Sequence, residues 1–428
     1  MNDFIFYLFE ILILSTSSLL IFLFIIKPNL MSSNKKNKTR PLDFRTTKNL
    51  IKFIIFFFIN LLIRPNKKIK LKTLLIIRLD AIGDYVLFRN YLEIISKSER
   101  YRNYNISILG NSSWKSLSES LDEKFIDDFI WLNTKRFNKN LKYRFNKLTE
   151  ITSHAYEEVL SPQYSRNFYL SDNIVKLVRS DKKIGSTGDL STITKWQKNI
   201  SDKYYTSLLP GTSEILFEFE RNREFFENLL STKIDLKNPS IQLRNKSHNF
   251  NLPEPYAILF IGASANFKQW KLKSFATVAE YLKNYHNFKI VLCGGPNDIE
   301  KAKEFRGFFK EDFLDLVGQT SLLDLLYIIN NSSLLVSNES CAPHLTAALE
   351  RININIFVIS NGITFGRFTP YPKKIYGNYF PIYHPKIEKD LNNPKKLTNT
   401  YGILSNLNIN DITSANAVAK IKSVLSEF

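Results

Sequence analysis

Short, nearly continuous apolar runs recur along most of the chain, separated by stretches in which apolar residues return every three or four positions. The runs have the length of strands buried on both faces, and the intervening pattern is that of amphipathic helices. In the first half this predicts strands near Leu74–Leu79, Asn105–Leu109, Phe129–Leu132 and Glu158–Leu160, and in the second near Ile258–Ile261, Ile290–Leu292, Leu334–Val336 and Ile354–Val358. Strands alternating with helices imply parallel sheets covered on both faces, and two such units in tandem enclose a cleft. The fold class is therefore α/β with two Rossmann-like units, which a length of 428 residues accommodates. The expected divisions are 1–70, 71–245 and 246–428, with a linker in the polar stretch Asp235–Pro253. Near the end, Asp411-Ile412-Thr413 followed by Val418, Ile421 and Val424 reads as a capped amphipathic helix.

Two apolar segments precede the first strand. Phe4 to Ile26 is apolar apart from Glu10 and a few hydroxyls, and a helix of that length crosses a hydrocarbon core of about 30 Å. It lacks the basic leader and small-residue cleavage site of a signal peptide. Lys27, Lys35, Lys36, Lys38 and Arg40 follow it, whereas Met1-Asn2-Asp3 carries no cationic side chain, so the expectation is a single-pass anchor in the inner membrane with the rest of the chain cytoplasmic. The second segment, Phe53 to Ile63, is too short to span easily and is flanked by Lys52, Arg64, Lys67, Lys68 and Lys70. It reads as an interfacial helix on an anionic leaflet or as a helix packed on the first unit.

A formal net charge of +19 suits anionic partners such as nucleotide-sugar phosphates and acidic lipids. Nucleic acid is not expected, because no RRM, zinc-finger or helix-turn-helix pattern accompanies the charge. The two cysteines, Cys293 and Cys341, form no disulfide framework, and His154, His248, His286, His344 and His384 are not paired at metal-ligand intervals. Asp127-Asp128 reads as a solvated turn. No metal site and no cofactor are expected, and the absence of G-x-G-x-x-G after the first strand disfavours a nicotinamide enzyme.

Two segments carry chemistry. The run ending Val336-Ser337-Asn338-Glu339-Ser340-Cys341-Ala342-Pro343-His344 breaks from a strand into small polar residues where a helix starts, a place suited to an anion as well as to an ordinary turn capped by Ser340. Upstream, Leu74 to Arg78 leads through Leu79-Asp80-Ala81-Ile82 into Gly83-Asp84, which puts Asp84 beyond the carboxyl end of a strand, as a catalytic group or a helix cap.

Together these segments resemble glycosyltransferase family 9, the heptosyltransferase family. Its R-x-x-x-x-G-D motif is matched by Arg78, Gly83 and Asp84, and its N-D-[ST]-G-x-x-H motif by Asn338, Ser340 and His344, with Glu339 in place of Asp and Cys341 in place of Gly. Ser264, Lys268 and Trp270 are similar to the family's Ser/Thr-x-x-x-Lys-x-Trp loop, and Gly294-Gly295-Pro296 to its Gly-Gly-Pro segment. The resemblance runs from about Leu71 to about Pro372. It implies a GT-B fold whose last helix often crosses back to the first unit, and inverting, metal-independent transfer of a sugar from a nucleoside diphosphate to a glycan or glycolipid acceptor, with lipopolysaccharide core as the family's best-known case. On this reading Asp84 is the general base. Ser264, Lys268, Ser340 and His344 hold the donor phosphates, with His344 also readable as a partner of the sugar or as a residue that orients the loop, Asn338 and Glu339 meet the donor sugar, and Gly294, Gly295 and Gly318 line the nucleoside side. Gly318-Gln319-Thr320 also reads as a plain turn before a helix capped by Ser321. The two departures, Glu339 and Cys341, keep open a membrane-tethered nucleotide-sugar-binding or scaffold protein without turnover. A sugar-nucleotide epimerase is a third reading, with no clear acid–base arrangement to support it.

Overall fold

The computed structural model describes residues 44–243, 250–351 and 353–426. The apolar segment Phe4–Ile26 and the middle of the expected linker lie outside these residues. Among the described residues there are two six-stranded sheets. The first comprises β1 (Lys70–Arg78), β2 (Asn105–Asn111), β3 (Asp128–Leu132), β4 (Ala155–Ser161), β5 (Arg179–Ser186) and β6 (Ser207–Leu209). The second comprises β7 (Tyr256–Phe260), β8 (Lys289–Cys293), β9 (Leu314–Asp315), β10 (Leu334–Asn338), β11 (Asn355–Ser360) and β12 (Tyr379–Tyr383).

Their orders are β3-β2-β1-β4-β5-β6 and β12-β11-β10-β7-β8-β9, so each unit, counted from its own first strand, runs 3-2-1-4-5-6 with parallel neighbours. In this doubly wound order, ligands gather beyond the carboxyl ends of the strands where the order reverses, here β1 beside β4 and β7 beside β10.

Period-two alternation explains why these runs form strands. In β1, Leu74 and Ile76 face one core while Leu75 and Ile77 face another. In β7, Ile258 and Phe260 join that first core, and Ala257 and Leu259 join an outer one. One apolar core is thus shared by both units. The unforeseen strands lack such a signature: β5 is mostly charged and exposed along its first half, β6 and β9 are very short, and the edge strand β12 contains Pro381.

The helices used below are α1 (Phe44–Leu62), α2 (Ile82–Val86), α3 (Glu218–Leu230), α4 (Leu272–His286), α5 (Cys341–Ala348) and α6 (Ser414–Leu425). Helix α1 packs on the first unit through Phe56 and Ile59, while the Arg144 guanidinium lies 3.6 Å from the centroid of the Phe56 ring. Its other face leaves Phe57, Phe58, Leu61 and Leu62 exposed. Among the described residues no helix is long and apolar enough to cross a membrane. The terminal helix α6 corrects one expectation. It forms with the expected cap at Thr413, but it buries Ala417, Ile421 and Val424 against the second unit's outer core instead of crossing to the first. Trp270 fixes its approach by donating from Nε1 to the Ile412 carbonyl at 2.7 Å.

Candidate functional site

At the end of β1 the chain turns directly into α2, which carries Gly83 and Asp84 in its single turn. Opposite, β10 gives way at Ser340 to α5, and Ser340 Oγ accepts from the Ala342 N–H at 3.4 Å. The two helices meet. A Cβ built on Gly83 would lie 2.6 Å from His344 Cδ2, so the close approach of the units requires glycine there. His344 is buried, and its Nδ1 is 2.7 Å from the Tyr371 hydroxyl. Tyr371 in turn packs against Phe217 of the first unit with centroids 4.7 Å apart.

Between the helices lies a cavity of about 300 Å³. Asp84 is on one wall, and Ser264, Lys268, Glu339, Ser340, Cys341 and His344 are on the other. Lys268 Nζ is 3.0 Å from Glu339 Oε1, and the Ser360 hydroxyl donates to Glu339 Oε2 at 2.6 Å. The additional methylene of Glu339, compared with the aspartate usual in the motif, is spent in this doubly held position. Cys341 opens α5 and adds a thiol to the wall, which burial pushes up to about 11.

The first wall rests on buried charge. Arg78 Nε lies 2.8 Å from Asp80 Oδ2, an ion-pair distance without hydrogen-bond alignment, and Nη2 donates to Glu218 Oε1 at 3.1 Å. Burial foremost, then the charges of Asp80 and Glu218, push Asp84 up to about 7 against the pull of Arg78 and Arg367. Asp84 can therefore hold a proton near neutral pH and release it just above, as a general base requires. His344 behaves oppositely: burial, assisted by Lys268, pushes it down to about 3, so its imidazole is neutral at any working pH.

The remaining expected residues do not line this cavity. Asn338 is fully buried. It accepts from the Trp270 N–H at 3.0 Å and donates to the Ile261 carbonyl at 2.8 Å, tying the lysine-bearing loop to β10. Gly294 and Gly295 sit at the end of β8, where Asp298 Oδ2 accepts from the Gly295 N–H at 3.0 Å. Gly318, with φ +73°, donates to the Gly294 carbonyl at 3.0 Å in the turn before the Ser321 cap. Sequence reasoning missed Asp298 and Phe368, which line the cavity, and Glu218, Arg367 and Tyr371, which support its walls. No motif signals Arg367, whose partner Glu218 is 149 residues away.

Two doubly wound units meeting at a cleft, with a carboxylate on one wall and a lysine on the other, form a GT-B-like architecture. The chain matches the family described as Glycosyltransferase family 9 (heptosyltransferase) over residues 163–396, more than half its length, and it belongs to that family and is a glycosyltransferase. The matched segment begins after the Arg78–Asp84 motif. In fold, the chain is similar to the family 9 glycosyl transferase of Veillonella parvula, at 17% identity and TM-score 0.59 over 84% of this chain and 99% of that one. It is also similar to E. coli heptosyltransferase WaaC with ADP, at 16% identity and TM-score 0.56, and to E. coli ADP-heptose lps heptosyltransferase II, at 17% and 0.56, each over 83% of this chain and 99% of the other. No curated protein sequence matches it.

The Gly83–His344 contact generates a test. Gly83→Ala pushes a methyl into a ring that burial and Tyr371 hold in place, and overpacking of this kind costs about 1 to 3 kcal/mol. The variant is expected to melt at a lower temperature than wild type and to lose most of its turnover; an unchanged melting curve by calorimetry would refute the tight contact.

Proposed function

We propose that the protein transfers a sugar, heptose in the first instance, from a nucleoside diphosphate to a hydroxyl of a lipopolysaccharide-core or other cell-surface glycan acceptor, with inversion. Asp84 takes the hydroxyl proton as the acceptor oxygen forms its bond to the anomeric carbon. The bond from that carbon to the diphosphate oxygen breaks, and its electron pair leaves with the nucleoside diphosphate. Lys268, Ser264, Ser340 and the N–H groups opening α5 meet the charge that grows on the leaving group, and this scheme needs no metal. Neutral His344 serves as a hydrogen-bonding group and Glu339 accepts from donor-sugar hydroxyls. The observation that carries the reading is the single cavity in which Asp84 faces Lys268 and the start of α5. The ADP held by the similar E. coli enzyme supports a nucleoside-diphosphate donor.

We place the acceptor on the first unit. Support comes from a second cavity there, of about 410 Å³, with hydroxyls and amides such as Ser191, Thr192, Thr194 and Gln197 in its lining and Lys52 of α1 beside them. The exposed apolar face of α1 and the exposed Arg64, Lys67 and Lys68 after it support attachment to an anionic leaflet, with Phe4–Ile26 as a single-pass inner-membrane anchor and both units in the cytoplasm. A second reading, binding without turnover, draws on the Lys268–Glu339 pair, which already engages the cation that the donor phosphates would use.

Release of nucleoside diphosphate from a panel of nucleotide sugars separates transfer from binding alone. Within the transfer reading, Asp84→Asn should retain donor affinity and lose about a hundred- to ten-thousand-fold in rate. The wild-type kcat/KM should rise with pH through about 7, because the base must be ionised to accept a proton. Turnover by Asp84→Asn close to wild type refutes the assignment.

Lys268→Ala is expected to weaken nucleoside diphosphate binding by about 1.5 to 3 kcal/mol, since it removes a charge-assisted contact. Because it also strands Glu339, the double variant Lys268→Ala/Glu339→Gln isolates the loss of the ammonium. Titration calorimetry giving wild-type affinity for both variants would place the phosphate site elsewhere.

Deleting residues 1–40 should abolish integral anchoring and leave salt-sensitive binding to anionic vesicles through α1. Full-length protein that washes off membranes in alkaline carbonate argues against the span, and a truncated protein indifferent to salt and lipid charge argues against the α1 surface.

A further inference from the structure

Glu218 opens α3 in the first unit and is fully buried, yet its strongest links reach in two directions. Oε1 accepts from Arg78 Nη2 at 3.1 Å within the same unit. Oε2 accepts from Arg367 Nε at 3.1 Å, and Arg367 belongs to the loop after β11 in the second unit. The contact is doubled along the backbone, where the Glu218 N–H donates to the Arg367 carbonyl at 2.8 Å. Arg367 Nη1 also donates to the Ser165 hydroxyl of the first unit at 2.8 Å. A planar guanidinium is thus held at two of its edges by groups from across the cleft, a geometry that fixes its plane as an ammonium could not be fixed.

The clasp continues through Arg78 to Asp80 in a chain of ion pairs whose charges act on the base. The charged and titratable groups grouped with Asp84 are Arg78 and Asp80 at the end of β1, Glu218 on α3, Arg367 on the loop after β11, and, across the cavity, neutral His344 and Cys341 on α5, Glu339 just before it, Lys268 on its loop and Asp298 after β8. Phe368, next to Arg367 in sequence, lines the cavity itself.

Resting on the reading of Asp84 as the base, we propose that Arg367 is a positioning residue for transfer: a guanidinium supplied by the second unit and held by Glu218, which sets the charge of Asp84 across the interface between units. The acceptor-side base then depends on a residue of the donor-side unit, so a correctly joined cleft and a competent base come together. Arg367 favours the ionised carboxylate, whereas Glu218, a buried like charge, opposes it. Burial works against ionisation of Glu218, but Arg367 and Arg78 hold its carboxyl below the usual range, so it remains charged as the clasp requires.

The opposite signs provide the test, in the full-length protein with the nucleotide sugar that the release panel selects. The pH profile of kcat/KM is measured for wild type, Arg367→Gln, Arg367→Lys and Glu218→Gln. Removing the cation should move the acid limb upward by about one pH unit or more, and removing the like charge should move it downward, as the signs of the two charges require. Arg367→Lys, which keeps the charge, should return the limb toward its wild-type position. A purely structural role lowers the rate in all three variants without moving the limb, or moves it in one direction throughout, and either result overturns the proposal. Should Arg367→Gln give no cooperative melt, the sign of the shift in Glu218→Gln decides, with an unmoved or raised limb counting against the clasp. Failure of the underlying reading looks different: turnover in Asp84→Asn removes the base, whereas an inactive Asp84→Asn with unmoved limbs removes only the role of Arg367.

Discussion

Arg78 and Arg367 bring two positive charges to a buried floor that, among the described residues, also holds the carboxylates of Asp80, Asp84 and Glu218. Fully ionised, this group of five carries one negative charge in excess, and a low-dielectric setting makes such an excess costly. Retaining one proton is the cheaper solution. Glu218 is braced by both guanidiniums, so the proton falls to the Asp80–Asp84 pair, and both carboxyls are displaced upward by burial first. Of the two, Asp80 is engaged by Arg78 and by the Gln163 amide, whereas Asp84 opens onto the cavity. The carboxyl that faces the cavity is the one whose proton is exchangeable near neutrality, and this follows from counting charges before any reaction is considered.

That floor has to be assembled from both halves of the chain, which explains several features that are otherwise unrelated. The apolar core shared by β1 and β7 holds the two sheets in one packing arrangement. Gly83 lets α2 approach the His344 ring, and the Tyr371–Phe217 contact holds the far side of that ring's partner. Cores this densely packed resist small displacements, so they fix the distance between the carboxylate wall and the lysine wall. The two units have the same strand order but different duties: at the end of β1 the helix presents a carboxylate, and at the end of β10 it presents N–H groups, a hydroxyl and a neutral imidazole.

The units and many of their strands were legible because the strands that build the cores carry uninterrupted apolar runs, as in Leu74–Ile77 and Ile356–Ile359. Strands with little apolar burial along their length, such as β5, which pairs with β4 and whose Lys182 meets Glu158 at 3.0 Å, left no such trace. The same division applies to the site. Asp84, Lys268, Ser340 and His344 stand in local motifs whose spacing is set by a strand-to-helix turn, so their neighbourhood could be read from a few consecutive residues. Glu218 and Arg367 could not, because each is defined by a partner that only tertiary folding brings near, and a charged residue at the start of a helix or in a loop ordinarily means nothing more than a solvated surface. The terminal helix shows the limit of analogy. Its amphipathic pattern specified that one face would be buried, but not against which unit, and Ala417, Ile421 and Val424 settled against α4.

Glu339 gives the second wall a property of its own. A carboxylate that reaches Lys268 at 3.0 Å and is anchored by Ser360 at 2.6 Å holds the ammonium on the cavity wall. On the proposed function, a diphosphate beside Ser340 would meet a cation already in position, but one whose charge is shared with Glu339. On the same reading, part of the attraction for the donor would come from the N–H groups at the start of α5. The lengthened acid and the thiol of Cys341 stand on the same wall of the cavity, one engaging the Lys268 ammonium and the other at the start of α5. On the proposed function, both departures from the family motif would bear on which nucleotide sugars this cavity accepts.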